Sequence, residues 1–363
     1  MRICVITFPF GTNYGGVLQC YAMNEELKKL GHDVTFLRYW GKGDGRLTNI
    51  WRTCRSSKSL TNFLSRLYQS FKIRIKQKGL TPDFEKQKLF DDFRESYLKF
   101  TPVLRPETIG EYLNNNFDAV IVGSDQVWTD VASSDKVYFI GWSPSFKGLR
   151  IAYAACSAHS AIAKRVHNEF RTLLDKFDLL TVRDRTTASL VKSISGKQPK
   201  IVPDPTILHD FKEFQNNKPV KEDYIVTYIL GSEITGGHKE ALERIKTLMN
   251  KKLRVIGIIT NKSHHSLIEC VDDTRYSVSP KEWVTLISNA SAVYTDSFHA
   301  IIFSMKFNKP FVAYYADRIR SSRLLDLKNE YNLKSIVKSA QEITELSQIQ
   351  IPKQNLSTFL NIL

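Results

Sequence analysis

Short apolar runs, each followed by a polar or glycine-containing turn and then by a helical segment, recur along this chain and constrain its fold more than any other feature. The first run, Arg2–Phe8, leads into a turn-rich segment over Pro9–Gly16. A helix is predicted from about Val17 to Leu30, because apolar side chains recur there at helical spacing and a glycine ends the pattern. Val34–Leu37 is the next predicted strand. Strand, glycine loop, helix and strand form the opening of a parallel α/β unit, so we expect an α/β fold.

Two such α/β sets predict two domains. The chain has 363 residues, more than one hydrophobic core usually supports. The alternation is interrupted at 209–223, a polar stretch that is the best linker in the sequence. We predict an N-terminal Rossmann-like domain over residues 1–210, a C-terminal Rossmann-like domain over 222–345, and a tail over 346–363 that packs back on the N-terminal domain. The domains should face each other across a cleft that holds the ligand at the carboxyl ends of the strands.

A basic segment interrupts the first domain. The net charge is +15, and residues 45–82 contain no Asp or Glu but many Lys and Arg. Residues 49–100 read as a helical insertion, in which apolar positions between 60 and 75 form one stripe beside basic ones. This pattern is typical of a helix that binds anionic lipid, so peripheral contact with the inner face of the cytoplasmic membrane through about residues 46–78 is one prediction. The alternative is that the stripe packs on the N-terminal domain and the charges are solvated.

Composition disfavours several classes of protein. No run of about 18 apolar residues is present, so no membrane-spanning helix is expected, and the first ten residues do not resemble a signal peptide. The five cysteines show neither pairing nor metal-ligand spacing. No nucleic-acid-binding module is recognisable despite the positive charge. We therefore expect a cytoplasmic protein with reduced thiols, no metal, no cofactor and no nucleic-acid partner.

Polar side chains follow the predicted strands, at the positions where parallel sheets present groups to a ligand. The loop with Asn13, Gly15 and Gly16 precedes a helix, whose amino-terminal N–H groups favour an anion. The alternative is that these glycines serve the turn geometry alone. Arg183 ends a strand and can present a planar fork to a carboxylate or phosphate. A structural ion pair, for example with Asp184, is the alternative.

His299 follows a strand and an Asp-Ser turn at the start of a predicted helix. An imidazole can give or take a proton near neutral pH, which suits general acid–base catalysis, and a structural role is the alternative. Asp125, Gln126 and Asp204 also follow strands, and we assign them to the acceptor side or the cleft. A tight turn over 123–128 and an Asx turn at 204–206 are the alternatives for these residues.

Taken in order, seven segments resemble the polysaccharide pyruvyl transferase family. They span about Asn13 to Leu327, and an ordered set is specific where a single segment would not be. The segments are NYGGVLQCYAM (Asn13–Met23), VGSDQVW (Val122–Trp128), AYAACS (Ala152–Ser157), TVRD (Thr181–Asp184), PDPT (Pro203–Thr206), TDSFHA (Thr295–Ala300) and SSRLLDL (Ser321–Leu327).

The resemblance implies two facing Rossmann-like domains similar to the GT-B glycosyltransferase architecture. It also implies phosphoenolpyruvate as donor, a saccharide diol as acceptor (with an undecaprenyl-linked form as one option) and a pyruvate ketal as product. By this resemblance His299 matches the family's catalytic histidine and Arg183 an arginine of the donor site. Ser297 stands in the donor site where many members have an arginine, and Arg323 could supply the missing cation. Asn13, Gly15 and Gly16 would complete the donor site.

Two other functions remain open on the sequence. A GT-B glycosyltransferase with a nucleotide-sugar donor would use the same architecture and cleft. A non-catalytic nucleic-acid-binding protein would account for the charge of +15 but would leave the polar strand-end segments without a role.

Overall fold

A computed structural model provides the architecture of the chain. It describes residues 1–39, 84–128, 136–141, 146–157, 161–162, 164–215, 220–231, 233–260, 265–316 and 318–360.

The fold consists of two sheets of six strands each, and every strand pair within them is parallel. The strand order is β2-β1-β3-β4-β5-β6 in the first sheet and β12-β11-β10-β7-β8-β9 in the second. The predicted pair of Rossmann-like α/β domains is therefore confirmed. The strands are β1 Arg2–Ile6, β2 Asp33–Phe36, β3 Ala119–Val122, β4 Leu149–Ala155, β5 Leu179–Val182, β6 Lys200–Ile201, β7 Tyr224–Tyr228, β8 Arg254–Ile258, β9 Asp273–Arg275, β10 Ala292–Thr295, β11 Phe311–Tyr314 and β12 Ile336–Val337.

Helices connect the strands in the pattern that parallel pairing requires. The α-helices are α1 Tyr14–Lys29, α2 Phe84–Tyr97, α3 Pro106–Asn116, α4 His167–Leu174, α5 Arg185–Ser195, α6 Pro205–Leu208, α7 Gly237–Met249, α8 His265–Ile268, α9 Pro280–Asn289, α10 Phe298–Lys306 and α11 Arg318–Glu330. Helix α1 begins three residues before the predicted Val17. The reason is its cap, since the side chain of Asn13 accepts a hydrogen bond from the Gly16 N–H.

Each sheet has a switch point, where successive crossovers leave in opposite directions. In the first sheet this point lies between β1 and β3, and in the second between β7 and β10. Loops that follow the strands at a switch point form the crevice in which open α/β sheets bind ligands. The segments that carry Asn13, Asp125 and His299 follow β1, β3 and β10, so the topology places them at these crevices.

An apolar core joins the two halves of the chain. Helices α1 and α2 contribute Tyr14, Tyr21 and Phe93 to the same buried cluster as Trp283 and Phe303 of α9 and α10. The ring of Tyr14 stacks on that of Trp283 with centroids 5.4 Å apart. The two domains are therefore packed against each other beside the crevices.

The segment predicted as a linker is partly packed. Phe211 and Phe214 are buried in the core that joins the two halves. In the tail, Leu356 and Leu360 lie in the cluster that contains Ile3 of β1. The boundaries at 210, 222 and 345 remain predictions.

The basic segment predicted to contact membranes, residues 46–78, lies outside the described residues. Of the predicted insertion over 49–100, the structure describes α2 and the residues that follow it. None of the helices in the described ranges combines the length and apolar character that crossing a bilayer would take.

Candidate active site

Asp204 is the centre of a buried polar cluster at the carboxyl end of the first sheet. It caps α6, and its Oδ1 accepts hydrogen bonds from the backbone N–H of Thr206 at 3.0 Å and from the Thr206 hydroxyl at 2.8 Å. Its Oδ2 accepts from the Ser124 hydroxyl at 2.8 Å and from Nη1 of Arg183 at 2.7 Å. Burial alone would raise the pKa of this carboxyl, but the contact with His299 and the charge of Arg183 outweigh it and hold the pKa well below its usual range.

Arg183 follows β5 and is enclosed by acceptors. Besides Asp204, its Nη2 donates to Cys156 Sγ at 3.0 Å and lies 3.4 Å from Asp125 Oδ1. Burial lowers the pKa of the guanidinium, but its partners Cys156, Asp204 and Asp125 raise the pKa by more than burial lowers it. The net pKa lies above its ordinary value, so Arg183 stays charged. Asp184, the partner suggested by sequence proximity, instead caps α5 by accepting the Thr187 N–H at 2.7 Å.

His299 brings the second domain to this cluster. It is the second residue of α10, and its Nε2 lies 3.7 Å from Asp204 Oδ2, a distance that fits an ion pair but is too long for a hydrogen bond. Among the described residues, this buried Nε2 has no hydrogen-bond partner. The other side of the ring meets α1 of the first domain, because a Cβ placed on Gly15 would lie 2.0 Å from His299 Nδ1. Only glycine fits at position 15.

Arg323 of α11, a half-buried residue whose Nε is itself buried, provides a second guanidinium. Its Cζ lies 5.6 Å from the centre of the Phe298 ring, and the Cζ of Arg183 lies 4.9 Å from the same ring. Burial, together with the nearby charge of Arg183, lowers the pKa of Arg323. In the part of the chain that the structure describes, the Nε groups of both Arg183 and Arg323 are buried without a hydrogen-bond partner.

A cavity of about 360 Å³ opens beside this cluster, between the carboxyl end of the first sheet and α11. Arg183, Asp204, Phe298 and Arg323 form part of its wall. The side chain of His299 is 8% exposed and does not line the cavity, whereas its neighbours Asp204 and Phe298 do.

Two of the residues predicted to bind the donor, Ser297 and Asn13, have capping roles in the structure. Ser297 caps α10, where its hydroxyl accepts from the Ala300 N–H at 3.5 Å. Asn13 caps α1, and this bond occupies the Gly16 N–H at 3.2 Å. A role for Ser297, Asn13 and Gly16 in donor binding remains a prediction.

Asp125 and Gln126 lie in the turn after β3. The backbone carbonyl of Asp125 accepts from the Cys156 N–H at 3.0 Å, and its side chain faces Arg183. Burial raises the pKa of Asp125, but the charges of Arg183, His299 and Arg323 outweigh it and lower the pKa overall. Gln126 is half-buried in the same turn, and its assignment to the acceptor side remains a prediction.

Reasoning from the sequence missed three residues of the cluster: Ser124, Cys156 and Phe298. Each lies inside a segment that carried the family resemblance, and Ser124 and Phe298 each adjoin a residue that was assigned a role. The signal that could have identified them is their position in the segments that directly follow strands, where parallel sheets present side chains to a ligand.

A second charged cluster lies where the chain passes from one domain to the other. His209 Nδ1 is 3.0 Å from Glu26 Oε1, and its Nε2 is 2.7 Å from Glu213 Oε1. His209, Asp210 and Glu213 also place possible metal-ligand atoms within 4.8 Å of one another. Since both imidazole nitrogens already face carboxylates, we interpret the cluster as ionic.

Solved structures share the fold of this chain. A UDP-GlcNAc 2-epimerase from Methanocaldococcus jannaschii, in complex with UDP-GlcNAc and UDP, aligns with a TM-score of 0.52 and 13% identity over 100% of this chain and 99% of that one. A second structure of the epimerase from this organism aligns with a TM-score of 0.50 and 12% identity over 94% of this chain and 90% of that one. The E. coli heptosyltransferase WaaC aligns with a TM-score of 0.39 and 13% identity over 87% of this chain and 89% of that one. At these identities the similarity concerns the fold, which is the expected GT-B-like one.

Comparison by sequence identifies the family. No curated protein matches the chain. The model of the family described as polysaccharide pyruvyl transferase matches residues 13–318, which include Arg183, Asp204 and His299. The matched range contains both parallel sheets except for β1 and β12. The chain therefore belongs to the polysaccharide pyruvyl transferase family.

Proposed function

We propose that this transferase takes the pyruvyl group of phosphoenolpyruvate and joins it, as a ketal, to two hydroxyls of a saccharide. Family membership supports a transferase that acts on a polysaccharide or its precursor. One structural observation carries the choice of donor. The guanidinium groups of Arg183 and Arg323 lie over the ring of Phe298, the residue before His299, and each has a buried Nε–H without an acceptor among the described residues.

An anionic donor would satisfy these groups. A buried donor without a partner costs about 1–3 kcal/mol, so a fold that retains two of them side by side is stabilised by a ligand that accepts from both. Phosphoenolpyruvate offers carboxylate and phosphate oxygens, and guanidinium groups bind both kinds of oxygen well. No metal or further cofactor is needed for this arrangement to hold the donor.

Proton transfer by His299 would start the reaction. A proton adds to the methylene carbon of phosphoenolpyruvate, and the carbon that bears the phosphate becomes oxocarbenium-like and is attacked by the first hydroxyl oxygen. The second hydroxyl oxygen then attacks the same carbon while its bond to the phosphate oxygen breaks. Of the two protons that the hydroxyls lose, one restores His299 and the other leaves with phosphate.

Access to the imidazole requires a local movement. The side chain of His299 is 8% exposed and does not line the cavity, although Phe298 does, so the proposal requires the Phe298 ring or the imidazole itself to turn when the donor binds. Asp204 would then act as a positioning residue, because a single oxygen of its carboxylate faces both Arg183 and His299.

Phosphate release and product mass test the proposal. Incubation with phosphoenolpyruvate and a set of oligosaccharide acceptors should release phosphate and add the mass of a pyruvate ketal to one acceptor. We expect His299→Ala and Arg323→Ala to lower the rate by at least about 100-fold. His265→Ala and Arg254→Ala, which change an exposed histidine and an arginine in an exposed ion pair, should match the wild type. Retention of more than a tenth of the rate by His299→Ala would remove it from the mechanism.

Nucleotide-sugars serve as the alternative donors in the same assay. The fold similarity to enzymes of sugar-nucleotides leaves this possibility to be tested, since one fold supports several chemistries. No contact in the described site favours a nucleotide over an enol phosphate. Turnover with a nucleotide-sugar, and none with phosphoenolpyruvate, would replace the proposed function.

We further propose that undecaprenyl-linked saccharides are among the acceptors and that the protein meets them at the inner face of the cytoplasmic membrane. Support comes from the acid-free sequence of residues 46–78. Sedimentation with vesicles that contain anionic lipid should carry the protein down, and neutral vesicles should not. If equal amounts of the protein stayed in the supernatant with anionic and with neutral vesicles, this part of the proposal would be refuted.

A further inference from the structure

The cavity beside the catalytic cluster has two chemically different walls. Arg183 and Arg323 form one set of lining residues, the guanidinium wall. Asp184, Asp326 and Glu330 form a second set, the carboxylate wall, and Arg185 also lines the cavity. Carboxylates repel a donor that bears nearly three negative charges. The second wall therefore fits a neutral ligand with many hydroxyl groups better than it fits phosphoenolpyruvate.

We propose that the wall formed by Asp184, Asp326, Glu330 and Tyr331 binds the acceptor saccharide. The proposal rests on the proposed function, because it divides one cavity between a donor at the guanidinium wall and an acceptor at the carboxylate wall. It also differs from the sequence prediction, which assigned Asp125, Gln126 and Asp204 to the acceptor side.

The Asp184 carboxylate is the first argument. The residue is only 7% exposed, and its Oδ1 is occupied by the Thr187 N–H. Its Oδ2 is buried and has no hydrogen-bond partner among the described residues. An acceptor oxygen of this kind requires a donor group. Phosphoenolpyruvate supplies acceptors almost exclusively at neutral pH, whereas a sugar hydroxyl donates one hydrogen bond and still accepts others.

The face of α11 is the second argument. Asp326, Leu327 and Glu330, together with Tyr331 just after the helix, recur at helical spacing and line the cavity. Asp326 Oδ2 accepts from the Arg185 N–H at 3.2 Å, and the backbone N–H of Thr186 is a second donor to this carboxylate. Burial and the charge of Asp184 raise the pKa of Asp326, and contacts with Arg185 and Thr186 offset part of this rise. An anion placed between Asp184 and Asp326 would be repelled by both carboxylates.

Aromatic rings in the lining of the cavity are the third argument. Phe298 contacts both guanidinium groups, and Tyr331 and Phe359 also line the cavity. A pyranose presents C–H groups on one face and hydroxyls at its edges, so it suits a site that combines rings with carboxylates. The cavity volume of about 360 Å³ is also at the lower end of small-molecule sites, which range over roughly 300–1,000 Å³.

The position of Asp184 connects acceptor binding to the reaction. It directly follows Arg183 in the chain, so a hydroxyl held by Asp184 would lie beside a donor held by Arg183. Such proximity is what ketal formation needs, since reacting atoms have to approach to about 3–3.5 Å.

Two charge-removing substitutions test the site. Asp184→Asn keeps the cap of α5, because Asn caps a helix as well as Asp does, and Glu330→Gln changes an exposed side chain. We expect each to raise the KM for the acceptor about tenfold, while the KM for phosphoenolpyruvate changes less than twofold. The controls Asp33→Asn and Glu222→Gln alter exposed ion pairs outside the cavity and should leave both constants unchanged.

Binding without the donor separates this inference from the proposed function. Saturation-transfer NMR with methyl galactoside, glucoside and mannoside, in the absence of phosphoenolpyruvate, should show contact with the wild type and a weakened signal with Asp184→Asn. A protein that binds a hexoside in this way but never consumes phosphoenolpyruvate would refute the proposed function and keep the saccharide site. The site is overturned if no hexoside binds, if the variants bind as the wild type does, or if Asp184→Asn raises the KM of phosphoenolpyruvate instead.

Discussion

Replacement of Gly15 by alanine tests whether the contact between the domains at His299 sets the geometry of the reaction. A Cβ at position 15 would lie 2.0 Å from His299 Nδ1, whereas ordinary contact begins at 3.4 Å. The imidazole or α1 would therefore have to shift by about 1.4 Å, the difference between these distances. A misplacement of 1 Å can lower a rate by about 100-fold, so we expect Gly15→Ala to lower kcat by that factor or more.

Gly16→Ala is the matched control, one residue further along the same helix. The nearest atom to a Cβ at this position is the carbonyl oxygen of Phe8 at 3.5 Å, an ordinary contact. Alanine also favours a helix over glycine by about 1 kcal/mol. Gly16→Ala should therefore keep the wild-type rate and have an equal or higher midpoint of thermal unfolding.

Phosphate release at saturating substrates and a thermal unfolding curve for each variant give the answer. Gly15→Ala should unfold cooperatively and still show the rate loss. A folded Gly15→Ala protein with more than a tenth of the wild-type kcat would refute the reasoning. Equal inactivation by Gly16→Ala would also refute it, because bulk in the first turn of α1, and not the contact with His299, would then be the cause.

Two further predictions concern buried charges. Asp204→Asn should lower the free energy of unfolding by about 3 kcal/mol, because it removes the closer of the two carboxylates that pair with the buried Arg183. Since folding depresses the pKa of Asp204, the difference between wild type and variant in urea unfolding should be full above about pH 4 and diminish as the pH falls further. For His209, burial lowers the pKa, but the hydrogen bonds to Glu26 and Glu213 outweigh it and raise the pKa overall. The stability that protonated His209 contributes is therefore complete below about pH 6.5 and is lost as the pH rises through the folded-state pKa. The free energies of unfolding of the wild type and His209→Gln should therefore converge towards alkaline pH. A difference between them that grew with pH would contradict this.

The positions of the candidate site residues followed from the sequence because parallel topology is restrictive. Each apolar run was short, and the polar residue that ended it had to lie at the carboxyl edge of a sheet. Arg183 after β5 and Asp204 after β6 therefore became neighbours by topology alone, although 21 positions separate them in the chain. The limits of α1 were less predictable, since its first turn contains two glycines and depends on the cap by Asn13.

The partners of these side chains could not be predicted from the sequence. Proximity in the chain suggested Asp184 for Arg183, but the backbone at 184 directs that carboxylate to the start of α5. The polar stretch 209–223 read as a linker because its few apolar residues show no periodicity. Phe211 and Phe214 are nevertheless buried, and only the arrangement of the neighbouring helices reveals what covers them.

The apolar core between the domains explains how a site divided between them keeps its geometry. Tyr14 is fully buried, its ring stacks on Trp283, and its hydroxyl donates to the carbonyl of Val278 at 2.8 Å. The next residue, Gly15, meets His299. A wide opening that separated these two would also expose Tyr14 and Trp283, and burial of one large apolar side chain contributes about 1.5–3 kcal/mol. Donor entry is therefore expected to proceed by local rotation at the site and not by separation of the domains.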